Sequence, residues 1–163
     1  MYVFLRKTAL LFALLGGLAA CAVACLTTAS IAGRALWTAP IPGDVELSQF
    51  GVALCISLCL PWCQLRGGNI IVDFFTARVT AGTQRRLDGL GALMLSAMMA
   101  LLAWRTAAGA VSVQAGGETS MILGLPMWMV YVVLAPGFAL TLLVALYQAG
   151  CRLAGRPLQE LAA

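Results

Sequence analysis

Apolar residues fill four long blocks of the chain, at about 9–33, 46–65, 87–113 and 125–150, with short polar stretches between them. A helix needs about 20 mostly apolar residues, at 1.5 Å of rise each, to cross the hydrocarbon core of a bilayer. All four blocks meet that length. What remains is two short tails and three loops, too little for a soluble domain. The pattern predicts an all-α membrane protein with four transmembrane helices, forming a single membrane domain over 1–163.

Small residues recur at every fourth position inside the blocks. Span one holds Ala9, Ala13, Gly17, Cys21, Cys25, Ala29 and Gly33; span two holds Gly51, Cys55, Cys59, Cys63 and Gly67. Span four has Gly137, Thr141, Ala145 and Ala149, and span three a looser set, Ala92, Ser96 and Ala100. Helices in lipid associate by close packing, and small residues let their backbones approach. The rows predict a compact helical bundle with a seam left for a partner. Five of the six cysteines belong to such rows, where cysteine acts as a small apolar filler. There is no CxxC, and Cys151 stands alone at a helix end, so free structural thiols are expected rather than redox or metal chemistry.

The loops carry the turn chemistry. Pro40, Pro42 and Gly43 force a turn after span one. Asp44 can cap the second helix, and Glu46 falls in its first turn, where the helix dipole favours negative charge. Arg66-Gly67-Gly68-Asn69 reads as a helix stop. Residues 70–79 resume a helical pattern with Ile70, Ile71, Val72, Phe74, Phe75 and Val79 on one arc and Asp73 on the other, a short amphipathic helix suited to the membrane surface. Arg78 lies in the apolar arc and would snorkel. Ala81-Gly82-Thr83 ends that helix, and Gln84-Arg85-Arg86 leads into span three. Pro126 is expected in the first turn of span four. Trp37, Trp128 and Tyr131 suit an interfacial belt, and mid-span Pro136 should kink its helix.

Charge then orients the spans. Hydrophobic residues make up 62% of the chain and charged residues 10%, far below the roughly 25% of soluble domains. With four crossings, Arg6, Lys7, Arg66, Arg78, Arg85, Arg86, Arg152 and Arg156 share one side, and only Arg34 and Arg105 lie toward the other. The positive-inside rule places both termini and the middle loop in the cytoplasm. The net charge of +4 is spread by loop and gives no nucleic-acid patch. Arg34, Glu46, Arg105 and Glu118 are expected to form ion pairs at the outer side, within the chain or with a partner. Arg105 lies about 18 residues, roughly 27 Å, into span three and can reach that interface. With no histidine in the chain, His-ligated haem, zinc or copper and imidazole acid–base catalysis are excluded. Leu18-Ala19-Ala20-Cys21 looks like a lipoprotein cleavage site, but the apolar run continues through Ile31, about twice a signal's length, which favours a retained first span.

Three segments in order resemble one family. Glu46-Leu47-Ser48 opens span two as Glu-Leu-(Ser/Ala) does in the small membrane subunit of tripartite ATP-independent periplasmic (TRAP) transporters, the DctQ-type small permease. Arg66-Gly67-Gly68-Asn69-Ile70-Ile71-Val72-Asp73 follows the family's Arg-Gly-x-His-Ile-x-Val-Asp, with Asn69 where histidine is usual. Thr119, Leu123, Pro126, Trp128, Tyr131, Pro136 and Gly137 follow its pattern before and into span four. The resemblance covers about 5–150. It implies a scaffold subunit of the bacterial inner membrane, partnered by a large many-span membrane subunit, a periplasmic substrate-binding protein and membrane lipids. The system it implies takes up an organic acid such as a dicarboxylate on an ion gradient, usually sodium.

The residues taken alone agree that this chain is not a complete transporter. No acidic residue lies deep in a span, where a coupling or substrate site would need one. A small multidrug exporter would need an embedded glutamate in its first span, and a thiol oxidase would need cysteine pairs at the outer face. A scaffold subunit of some other inner-membrane complex remains the alternative. No catalytic, cofactor-binding or metal-binding residue is assigned and no enzyme is expected. The structural or interface candidates are Arg34, Glu46, Arg66, Asn69, Asp73, Arg105, Glu118, Pro126 and Trp128.

Overall fold

A computed structural model describes residues 2–37, 41–68 and 81–153. It contains four helices: α1 (Tyr2–Trp37), α2 (Asp44–Leu65), α3 (Ala81–Gly116) and α4 (Trp128–Leu153). Each includes a segment long and apolar enough to span a membrane, at Tyr2–Leu36, Asp44–Leu65, Leu87–Gly116 and Trp128–Arg152. The fold class is as the apolar blocks predict, an all-α membrane protein. The interfacial helix expected at 70–79 lies outside the described residues.

The helices overrun their blocks. At 1.5 Å per residue, the 36 residues of α1 and of α3 reach about 54 Å, well beyond the roughly 30 Å of a hydrocarbon core. Hydropathy marks where a helix leaves lipid, not where its hydrogen-bond ladder stops, so Arg6, Lys7 and Thr8 are helical, and Ala81-Gly82-Thr83, expected as a helix stop, is helical within α3. α2 and α3 stop at glycine. Gly67 has φ +65°, its N–H donates to Gln64 O at 3.1 Å, and the Gly68 N–H donates to Cys63 O at 3.0 Å. Those two bonds are the Schellman pattern that satisfies the last carbonyls of a helix. Gly117, at φ +63°, ends α3 the same way through Gln114 O and Val113 O.

The hairpins α1–α2 and α3–α4 are antiparallel, so all four helices share a terminal end (Tyr2, Leu65, Ala81, Leu153) and a hairpin end (Trp37, Asp44, Gly116, Trp128). α1 packs along α2, α2 along α4 and α4 along α3, while α1 and α3 stand at opposite edges and barely meet. The expected compact bundle is therefore corrected to an open row in the order α1–α2–α4–α3. Three helices converge only toward the terminal end, where Leu5, Ala9, Leu65 and Val144 form a buried cluster.

Apart from that cluster the interior is rich in small and polar residues, and the exterior is bulky and apolar. Buried positions include Ala9, Ala92, Ala110, Ala145 and Ala149 together with Ser30, Ser57, Ser96, Thr141 and Gln148. Leu14, Leu18, Met94, Leu101 and Trp104 are exposed. In lipid that inversion is expected, because burying leucine between helices gains little over burying it in acyl chains. The rows of α4 and α3 lie inside as predicted, with Gly137, Thr141, Ala145, Ala149, Ala92 and Ser96 all buried. The row of α1 does not. Ala9 is buried, but Gly17, Cys21 and Cys25 are exposed. A step of four residues turns about 40° past one full turn, so a strict four-residue row winds off its seam. The buried side of α1 instead runs through Leu5, Ala9, Gly16 and Ser30.

Candidate functional site

Among the described residues the chemistry lies in how the helices grip one another and what their edges present. The α1–α2 seam is held by close approach. A Cβ on Gly16 would come 2.8 Å from Cys59 Sγ, and one on Gly51 would overlap Val23 Cγ2. Cys59 therefore serves as a small packing group, as the sequence suggests, and all six cysteines are free thiols.

The α2–α4 seam joins the two hairpins. Gly137 lies on the Ser57 backbone, and the Ser57 hydroxyl donates to Leu134 O at 2.7 Å. Pro61 lies inside α2. It has no N–H, so the Ser57 carbonyl four residues earlier loses its usual helical donor and faces the Cα hydrogens of Gly137. Such Cα–H···O contacts recur where helices touch. Thr141 is buried one turn on, with its hydroxyl donating back to Gly137 O at 2.7 Å.

Toward the terminal end this seam closes on two glutamines. Gln64 Nε2 donates to Gln148 Oε1 at 2.7 Å, and Gln148 Nε2 donates to Gln64 O at 2.9 Å. Both side chains are buried, so the pair satisfies amides that lipid cannot. Beside it Arg66 stacks on the Trp62 ring, its guanidinium carbon 5.0 Å from the centroid. Arg152 of α4 reaches the start of α3, donating to Asp88 O at 3.2 Å with the Asp88 carboxylate 4.0 Å away.

The hairpin end carries the second polar cluster. Gly43, at φ +76°, occupies the N-cap of α2 and makes no side-chain cap bond. Asp44 is thus the first helical residue rather than the expected cap. Its carboxylate accepts from the Val45 N–H at 2.8 Å and from the buried Ser30 hydroxyl of α1 at 2.5 Å, with Arg34 3.8 Å away. Glu46 turns to the other hairpin: it accepts from the N–H groups of Ile122 and Leu123 at 2.9 and 3.1 Å. Leu123 in turn lies across Gly43, which has no side chain to block it.

The candidates read from the sequence divide as follows. Arg34 pairs with Asp44, not with a glutamate. Glu46 binds backbone amides. Among the described residues Arg105 and Glu118 form no ion pair; both are exposed. Arg66 stacks on Trp62. Asn69 and Asp73 lie outside the described residues. Pro126 precedes α4 by two positions and bridges to Thr119 instead of opening the helix, because Ser120 N–H to Leu125 O at 2.8 Å and Met127 N–H to Glu118 O at 3.1 Å first close a ladder across the loop. Trp128 starts α4, half-buried. Ser30, Ser57, Gln64, Asp88 and Gln148 also carry polar contacts and are not among the sequence candidates. Glutamine inside an apolar block was the available signal, since a polar residue there needs a partner.

One face of the row bears two apolar grooves. The larger, about 660 Å³, is floored by Leu54 and Leu58 of α2 and walled by Phe12, Leu15 and Ala19 of α1 and by Val132 and Pro136 of α4. The second, about 450 Å³, runs between α3 and α4 along Ala103, Ala107, Ala110, Ala135 and Ala139, and shares Val132 and Pro136 with the first. Among the described residues no group of three His, Cys, Asp or Glu side chains could hold a metal ion.

A protein-family model described as "Tripartite ATP-independent periplasmic transporters, DctQ component" matches residues 23–155. No curated protein matches the chain, and no solved structure does.

Proposed function

The chain belongs to the DctQ component family of tripartite ATP-independent periplasmic transporters, and from that premise we propose that it is the small inner-membrane subunit that braces the large, many-span membrane subunit while an organic acid, delivered by a periplasmic binding protein, enters on a sodium gradient. The family is one of transporter components, not of enzymes. The observation that carries the bracing role is the open row itself. Its buried contacts in the middle of the seams are neutral, made of small and aliphatic residues, serine hydroxyls and the Gln64–Gln148 pair, and its charged groups gather toward the helix ends, apart from the exposed Arg105 of α3. A coupling site would instead place ionisable groups near mid-membrane. Both termini are cytoplasmic in this reading, so the terminal end faces inward and the hairpin end outward. The apolar grooves beside Val132 and Pro136 offer the large subunit a face to lie against.

Reconstitution tests the proposal. Vesicles holding this chain, the large subunit and the binding protein should take up the acid when sodium is high outside, without ATP. This chain alone should move nothing. Uptake by this chain alone would reject the bracing role, and full uptake by the other two components without it would show that the brace is dispensable.

A further inference from the structure

The seam between α2 and α4 is not uniform along its length. Among the described residues, every buried position of α2 lies from Ser57 onward, and every buried position of α4 from Gly137 onward. The contact of Ser57 with Gly137 therefore marks a boundary. On its terminal side the helices close over Thr141, Val144 and the Gln64–Gln148 pair. On its hairpin side they part around a cleft of about 200 Å³, lined by Phe50 and Leu54 of α2 and by Met129, Val130 and Val133 of α4. They join again at the far end. There Glu46 accepts from the Ile122 and Leu123 amides, and Leu123 lies across Gly43.

Each helix has a proline beside this boundary, and the two differ in their surroundings. Pro61 is buried, and the Ser57 carbonyl that it deprives of a donor faces Gly137, so the break in α2 is filled. Pro136 deprives the Val132 carbonyl of its donor in the same way, but Pro136 and Val132 are exposed and border both grooves. Helix bending concentrates at such a proline, and Gly137 beside it adds backbone freedom. Room for a bend lies next to it, since the groove toward α3 is lined by the small side chains of Ala103, Ala107 and Ala110. From Trp128 to Pro136 the helix is about 12 Å long, so a bend of about 20° moves its free end by about 4 Å.

We infer that Pro136-Gly137 is a hinge and that Glu46 is its latch. The arm of α4 before Pro136, with the α3–α4 turn, swings between a closed position against α2, held by Glu46, and an open position toward the alanines of α3. The terminal half of the seam stays packed throughout. Two hydrogen bonds and one leucine contact are a small hold beside that buried half, so the hairpin side opens first. The motion belongs to the chain itself and does not depend on the transport role proposed above.

Distances between spin labels on the full chain in phospholipid vesicles test the hinge. The six cysteines are replaced by alanine. One label pair is placed at Gln49 and Met129, on the hairpin side of the boundary, and another at Arg66 and Gly150, on the terminal side; all four positions are exposed. With Glu46 in place, the Gln49–Met129 pair should give one narrow distribution. Glu46→Ala should add a population longer by about 4 Å and leave the Arg66–Gly150 pair unchanged. Pro136→Ala in that background restores an N–H donor to the Val132 carbonyl and should abolish the added population. An unchanged Gln49–Met129 distance in Glu46→Ala overturns the latch. Lengthening at both pairs overturns the hinge, because the hairpins would then part as rigid rods. Loss of both distributions overturns it too, since Glu46 would then hold the fold and not an arm. An added population that survives Pro136→Ala places the bend elsewhere and overturns the assignment to Pro136.

Discussion

Gly137 of α4 lies against the backbone of Ser57 of α2, so closely that a Cβ there would overlap both the hydroxyl and the carbonyl oxygen of the serine. These are backbone and fixed side-chain atoms and cannot swing aside. Gly137→Ala must therefore push the two hairpins apart or bend one of them, at a cost of about 1–3 kcal/mol, as for other overpacked sites. Gly150→Ala, on the same helix with open space around it, should be neutral or slightly stabilising, since alanine has the higher helix propensity. Thermal unfolding of the purified protein in detergent gives both numbers side by side, and equal melting temperatures would show that the seam is not where the hairpins meet.

The buried glutamines should be worse singly than doubly substituted. Gln148→Leu leaves the Gln64 amide without its acceptor and takes one donor from the last carbonyls of α2, a loss of about 1–3 kcal/mol. Adding Gln64→Leu removes that amide as well and should return part of it. A double-mutant cycle in unfolding free energy reads the coupling, for which interhelical bonds in membranes suggest about 0.6 kcal/mol or more.

Glu46→Ala should loosen the α3–α4 turn without unfolding the spans. The N–H groups of Ile122 and Leu123 lose their acceptor, and the local opening free energy falls by about 1–3 kcal/mol. Hydrogen exchange at Ile122 and Leu123 should accelerate at least several-fold, while amides in the middle of α4 stay protected. Glu46→Gln, which keeps an acceptor oxygen, should lie between.

The cysteines should part company by position. Cys21→Ala and Cys25→Ala, at exposed sites, should change stability by less than about 0.5 kcal/mol. Cys59→Leu should cost about 1–3 kcal/mol, because Cys59 Sγ already limits the approach of Gly16. Matching losses at all three positions would mean that the exposed face of α1 is itself a packed interface in the assembled transporter.

Orientation is checked by reporter fusions. A reporter joined after Gly116 should read as periplasmic, and one joined after Gly82 as cytoplasmic. The reverse pattern would overturn the charge argument.

Much of this architecture is legible from apolar block length and from glycine, because spanning a bilayer and stopping a helix are local requirements. Four spans, the stop at Arg66-Gly67-Gly68 and the buried row of α4 follow from the chain alone. The order of helices does not. In a soluble bundle the polar face of each helix points to water and so reveals the other face, but in lipid both faces of Leu14 or Leu58 are equally apolar. The row on α1 leaves its seam for a geometric reason: Ala9 and Cys25 are four steps apart, about 160° of drift, and lie on different sides. The acidic residues at the hairpin end were legible as a group but not in their pairings. Whether Glu46 meets an arginine or the amides of Ile122 depends on how the second hairpin docks, and nothing near Glu46 in the sequence encodes that. Pro126 shows the same limit: its ring suits the start of a helix, but the ladder from Glu118 to Met127 took it first.

The α1–α2–α4–α3 order has a consequence for how the molecule is made. Each hairpin is assembled from neighbours in sequence, and the seam of α2 on α4, with smaller contacts of α1 on α4 and of Glu46 on the α3–α4 turn, unites them. On a ribosome feeding an insertion channel, α1 and α2 can complete their contacts before α3 exists, and α3 and α4 then form a second finished pair that needs only to slide sideways until Gly137 meets Ser57. Biogenesis reduces to two local closures and one lateral docking, with no strand of the chain threaded between others. By the same reasoning, the halves translated from separate messages are expected to find each other in the bilayer, and the genetic unit divides most cleanly between Gly68 and Ala81.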